Sequence, residues 1–83
     1  MRRYVFEEYR NSIGAGSEEV YDQKDEALKF AEEHWNHLSE SDKDSYRKDR
    51  CGIFLVYEID IPAEELSEPL SEYATEYIKD WLE

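Results

Sequence analysis

Cys51-Gly-Ile-Phe-Leu-Val-Tyr-Glu-Ile-Asp-Ile61 is the stretch on which the fold turns. The five apolar residues from Ile53 to Tyr57 pass into an alternation that ends where Pro62 removes a backbone donor. Length, β-branching and aromatic content predict a strand, and the unbroken apolar run predicts that it is the central one. Ile53, Leu55, Tyr57 and Ile59 share one of its faces, because side chains alternate along a strand.

Working upstream, Arg3-Tyr-Val-Phe-Glu-Glu-Tyr9 predicts a first strand with Tyr4 and Phe6 on one face and Val5 and Tyr9 on the other. Residues 10–17 hold two of the three glycines and read as a loop. Residues 18–22 can pair back as a short second strand with Val20 inward. Asp22 then offers itself as a helix N-cap, with Asp25 three positions on near the exposed amides. Leu28, Ala31, Trp35 and Leu38 follow at three-and-four spacing, flanked by Ala27, Phe30 and His34, and line one face of a helix. Ser41, with Asp42 and Asp44 after it, can cap a further short helical turn that carries Tyr46 inward.

Downstream, residues 62–69 read as a connector with a single helical turn around 63–66. Leu70, Tyr73, Ala74, Tyr77, Ile78 and Trp81 then fall at helical spacing, with Ser67 or Ser71 as cap, and predict an amphipathic C-terminal helix. The expected order is β-β-α-α-β-α. That order describes an α+β fold with a small antiparallel sheet of about three strands and helices packed on one face, in a single domain over residues 1–83.

Composition narrows the function classes. Eighty-three residues support one hydrophobic core. The single cysteine, Cys51, cannot pair within the chain, which fits a reducing, cytoplasmic setting of bacterial type. No run has signal-peptide or membrane-span character, so no membrane partner is expected. A net charge of -12 speaks against direct nucleic-acid binding, which wants a basic footprint. Lys43, Arg47, Lys48 and Arg50 do cluster, but Asp42, Asp44 and Asp49 dilute them.

His34, His37 and Cys51 are metal-ligand types, yet they fall short of a closed four-ligand set, and no metal or other cofactor is expected. Asp42-Lys-Asp-Ser-Tyr46 begins like a calcium loop but has Arg47 in the glycine position and Ile53 in place of the bidentate glutamate. Ile13-Gly-Ala-Gly-Ser17 lacks the lysine of a phosphate-binding loop. Cys51, at the head of the central strand, reads as a small core filler. No nucleophile has a base in its local sequence, and the expectation is a non-enzymatic protein.

The charge is unevenly placed, with -8 over residues 51–83 and -4 over residues 1–50. Glu72, Glu76 and Asp80 recur every four residues along the expected last helix, and Glu83 extends the row. Four helical residues rise about 6 Å, close to the roughly 6.8 Å between phosphates two steps apart on one DNA strand. Such a row can imitate a nucleic-acid backbone toward a basic partner. Tyr73, Tyr77 and Trp81 share that helix and are of types favoured at interfaces. Trp35, Phe30, Phe54 and Tyr57 among the twelve aromatics belong to the core.

The run Trp35-Asn-His-Leu-Ser-Glu-Ser-Asp-Lys-Asp-Ser-Tyr46 resembles the interhelix stretch of a high-mobility-group box, although that family's basic arm is absent and flanking strands depart from its helical fold. The resemblance implies a helix break there. The whole chain is similar to short acidic uncharacterised proteins of Gram-positive gut bacteria and their mobile elements. It shares their Tyr-rich first strand (Tyr4 to Tyr9), their helix start (Asp25-Glu-Ala-Leu-Lys-Phe-Ala31) and their helix end (Trp35 to Lys43). This likeness implies a fold and a setting, with no functional residue carried over. The expected function is a protein-binding module, in its specific version an acidic antagonist of a basic nucleic-acid-binding protein. The alternatives are a homodimer joined through an edge strand or the last helix, and a small metal-binding protein.

Overall fold

A computed structural model of the chain describes residues 2–10, 15–60 and 73–82. The elements are β1 (Arg2–Arg10), β2 (Ala15–Tyr21), α1 (Lys24–His37), α2 (Glu40–Lys48), β3 (Ile53–Asp60) and β4 (Ala74–Asp80). The strands form one antiparallel sheet in the order β2-β1-β3-β4. The fold is α+β, with four strands rather than about three and the order β-β-α-α-β-β. β3 is an inner strand as expected, and β1 is its inner neighbour.

The largest correction is β4, which stands where the apolar spacing predicts a helix. Phe54, Val56, Tyr57 and Ile59 of β3 are buried, and a buried strand must satisfy its backbone groups on both edges. β1 pairs with one edge and residues 74–80 with the other. The local signal in favour is Thr75, Tyr77 and Ile78, all strand-favouring types. The helix-like spacing is accommodated by two register shifts, which leave Ile78 and Thr75 as extra residues opposite β3. Each extra residue moves the side chains beyond it to the other face. Ile78 and Trp81 therefore join the helix-side core, whereas Tyr73 and Ala74 join the opposite one.

Both helices pack on one face of the sheet. There Phe6, Phe54 and Val56 meet Ala27, Ala31 and Trp35 of α1 and Tyr46 of α2. The Phe54 ring lies 5.0 Å from Phe6, 5.0 Å from Trp35, 5.3 Å from Tyr46 and 5.5 Å from Trp81, centroid to centroid, largely edge-on. On the other face Val5, Tyr57 and Ile59 are buried together. Phe30, expected in the core, is instead 51% exposed, and it stacks on Tyr21 with centroids 5.4 Å apart.

Helix boundaries differ from expectation in instructive ways. α1 is preceded by Gln23 with no side-chain cap, and Asp22, one position before the cap, lies 3.6 Å from Arg3 Nε. Asp25 and Glu26 still place negative charge in the first turn. The cap of α2 is Ser39 rather than Ser41, and it accepts from the amide of Asp42 at 3.1 Å. The break between the helices thus falls at Leu38 and Ser39, inside the Trp35–Tyr46 run.

Residues 15–17, expected in a loop, belong to β2. A Cβ on Gly16 would lie 2.6 Å from the Glu8 carbonyl oxygen and 2.8 Å from the Tyr9 ring, so only glycine lets β1 and Tyr9 approach this closely. Cys51, expected to fill the core, is exposed in the turn before β3. The helical turn at 63–66, the caps Ser67 and Ser71, Leu70, Glu72, Glu83 and residues 11–14 of the glycine loop lie outside the described residues. No described helix is long and apolar enough to cross a membrane.

Phe54→Ala removes the ring that the core elements share. It is expected to cost about 3–5 kcal/mol, most of the stability of a domain this small. Urea denaturation read by tryptophan fluorescence checks this, and a loss below about 1 kcal/mol would contradict the central position given to Phe54.

Candidate functional site

Four elements converge on Glu8. Strand alternation places it on the helix side of β1, where its Oε2 lies 2.8 Å from Nε2 of His34 on α1. The same oxygen accepts from the Tyr46 hydroxyl on α2 at 3.2 Å, and Oε1 accepts from Ser17 of β2 at 3.2 Å. His34 is held from behind by Phe54, with ring centroids 5.7 Å apart and planes 18° from parallel. Arg10 lies with its guanidinium carbon 4.7 Å from the Tyr46 ring centroid and pairs with Asp42 at 3.2 Å.

This grouping contains a serine, a histidine and a carboxylate, the residue types of nucleophilic catalysis. Their order is wrong for it. A triad needs the imidazole between hydroxyl and carboxylate, so that it can take the hydroxyl proton. Here the carboxylate stands between Ser17 and His34, and the serine donates to Glu8 instead. The arrangement can tie two strands and two helices together and carries no path for activating Ser17.

Two further phenols are tied to carboxylates. On the second face the buried Tyr57 donates to Oε1 of Glu7 at 2.8 Å, and on the helix side Tyr21 donates to Glu19. Burial raises the pKa of each of these tyrosines, and the bonded carboxylate raises it further. Tyr46 is pushed up to about 12, by burial first and then by the charge and hydrogen bond of Glu8.

The metal-type residues do not assemble. His34 is engaged by Glu8, Nδ1 of His37 lies 2.7 Å from the Glu33 carbonyl, and no group of three or more metal-ligand types comes together among the described residues. Two of the four residues in the basic cluster are used internally, Lys43 and Arg47 lying 5.5 and 5.4 Å from the Trp35 ring centroid.

The six residues expected to bind a partner are dispersed. In an extended strand four residues span about 13 Å, so the 6 Å pitch of the carboxylate row is lost. The bulge at Ile78 also separates its members. Glu76 pairs with Glu58, and Asp80 with Leu55 on the opposite face, while Glu72 lies outside the described residues. Trp81 packs on Phe54 and donates from Nε1 to Glu32 at 3.0 Å. The same carboxylate accepts from Lys79 at 3.0 Å, the main cause of its lowered pKa. Tyr73 joins the second-face core. Of the three aromatics Tyr77 stays largely outside, 64% exposed, along a shallow groove lined by Leu55, Ile78, Lys79 and Asp80, and Glu76 is exposed beside it.

The surface that sequence reasoning missed is the other edge. β2 is an outer strand, and its seven residues pair with β1 in unbroken register from Tyr4 opposite Tyr21 to Arg10 opposite Ala15. Every second residue of such a strand turns its N–H and C=O away from the sheet. Beside it lie Glu18 and Glu19, and the stacked Tyr21 and Phe30 stand at one end. A hollow of ≈ 270 Å³ at the other end is lined by Glu7, Glu8, Tyr9, Gly16, Ser17 and Glu18. The available signals were the paired acids after a glycine-containing stretch and the misfit of Phe30 on the helix periodicity.

The tyrosine–carboxylate bonds set an alkaline limit on the fold. An unfolded tyrosine ionises near pH 10, whereas folded Tyr46 keeps its proton to about 12. A pKa raised by folding contributes stability that is complete below the unfolded value and is lost as pH rises through the folded one. Melting temperature is therefore expected to hold steady up to about pH 10 and to fall beyond it, with a shallower fall in Tyr46→Phe. A melting temperature unchanged across that window would refute the coupling. No family model, curated protein or solved structure matches the chain.

Proposed function

We propose that the chain is a non-enzymatic, acidic protein-binding domain that takes up an extended basic segment of a partner along the outer edge of β2. The observation that carries this reading is the unbroken β1–β2 register, which leaves a regular row of backbone groups on an outer strand. Strand addition uses such a row for affinity and adjacent side chains for specificity.

β4 is the poorer edge for this purpose. It carries two bulges, which interrupt the even spacing that an added strand must match, and bulges and lysines are devices that guard edges. Charge selects the occupant. The chain carries -12, and β2 itself contributes Glu18 and Glu19. A second copy is disfavoured at this edge: in the fullest antiparallel overlap of two β2 strands, Glu18 faces Glu18, and like charges directly opposite destabilise a pair. A lysine- or arginine-bearing strand meets no such penalty. Basic segments are a footprint of nucleic-acid-binding proteins, so antagonism of one of them is the specific version of the proposal. It rests on net charge and no longer on a helical carboxylate row.

The test is salt-dependent binding of a basic, β-branched peptide to three proteins: wild type, Glu18→Lys with Glu19→Lys, and Glu76→Lys with Asp80→Lys. Loss of binding with the β2 pair and retention with the β4 pair are expected. The reverse pattern moves the site to β4, and absence of binding to all three rejects the proposal. Sedimentation is expected to show a mass independent of concentration, whereas a dimer would overturn the preference for a foreign strand.

A further inference from the structure

The two ends of the β2 surface differ chemically, and the difference specifies what the partner strand must carry. Strand pairing puts Glu18 opposite Glu7 and Glu19 opposite Phe6. Glu18 and Glu7 therefore stand on the face that buries Val5 and Tyr57, and Glu19 stands on the helix face. On that second face the negative charge of Glu7 is held in place by the Tyr57 hydroxyl at 2.8 Å. On the helix face Glu19 is held by the Tyr21 hydroxyl, and Tyr21 lies under Phe30 with the planes 18° apart. Glu26 adds negative charge beside Tyr21. Phe30, 51% exposed, presents a stacked aromatic face flanked by carboxylates, a setting that suits a planar guanidinium.

Successive residues of an added strand point to opposite faces. One residue of the partner, opposite Glu18, reaches the Glu7 side; its chain neighbour, opposite Glu19, reaches the Phe30 side. Resting on the β2 reading above, we infer that the edge selects two consecutive basic residues in an extended segment, with arginine at the position that meets Tyr21 and Phe30. A pair separated by one residue puts both charges on one face and leaves the other acidic face unanswered. The sheet edge thus distinguishes an adjacent pair from a spaced pair of identical composition.

Two short peptides with a central Arg-Lys pair test this, one with the residues adjacent and one with a valine between them. Binding by titration and hydrogen exchange at the β2 amides are the two readouts. The adjacent pair is expected to bind about five- to tenfold more tightly, the scale of one exposed ion pair plus one cation–π contact. Phe30→Ala and Glu19→Gln, both at exposed positions, are expected to remove that preference and bring the two peptides to similar affinity. Equal affinities, with β2 amides protected by both peptides, would overturn the dibasic preference and leave strand addition standing. No protection of β2 by either peptide would overturn strand addition itself.

Discussion

The Phe54 ring is the contact on which the other elements depend. It sits on an inner strand, and rings from β1, α1, α2 and the end of β4 converge on it within 5.0–5.7 Å. With so few residues the domain cannot spread its core over many independent contacts. One buried aromatic that touches every layer makes the packing of each helix conditional on the strand beneath it. The two helices add no second core of their own, since their buried residues Ala27, Ala31, Trp35 and Tyr46 all belong to the same cluster.

Around that apolar centre the polar groups act as ties at its rim. Glu8 joins a serine on β2, a histidine on α1 and a tyrosine on α2. Glu32 joins α1 to the end of β4 through Lys79 and Trp81. In a chain with 22 acids and 10 bases most carboxylates cannot find a cation. Several are satisfied instead by tyrosine hydroxyls, which donate a hydrogen bond without neutralising the charge. The acidic surface is thereby kept acidic while its inner carboxylates are fixed in direction.

The sheet has two unlike edges. β4 ends the sheet with two bulges and is anchored through Lys79 and Trp81 to α1. β2 ends it with an even ladder, flanking carboxylates and an exposed aromatic stack. A regular edge is a liability for aggregation unless something manages it. Under the proposed function the glutamates along β2 oppose pairing with a second copy and favour a strand of opposite charge, so one feature would serve protection and recognition together.

Much of this was legible in the residues alone. The apolar run at Ile53 to Tyr57, the strand-favouring types over Tyr4 to Tyr9 and the spacing of Leu28, Ala31, Trp35 and Leu38 each specify an element, through residue type in the strands and a helical period in α1. Charge and the single cysteine bounded the chemistry. What local pattern did not determine was residues 74–80, whose spacing fits a helix and whose types fit a strand. The choice came from β3, whose buried backbone required a partner on its second edge, and bulges let the strand reach it. That tertiary demand dispersed Glu76, Asp80, Tyr77 and Trp81. By making β2 the even edge it also moved the candidate site to the opposite side of the sheet, which no periodicity within either segment records.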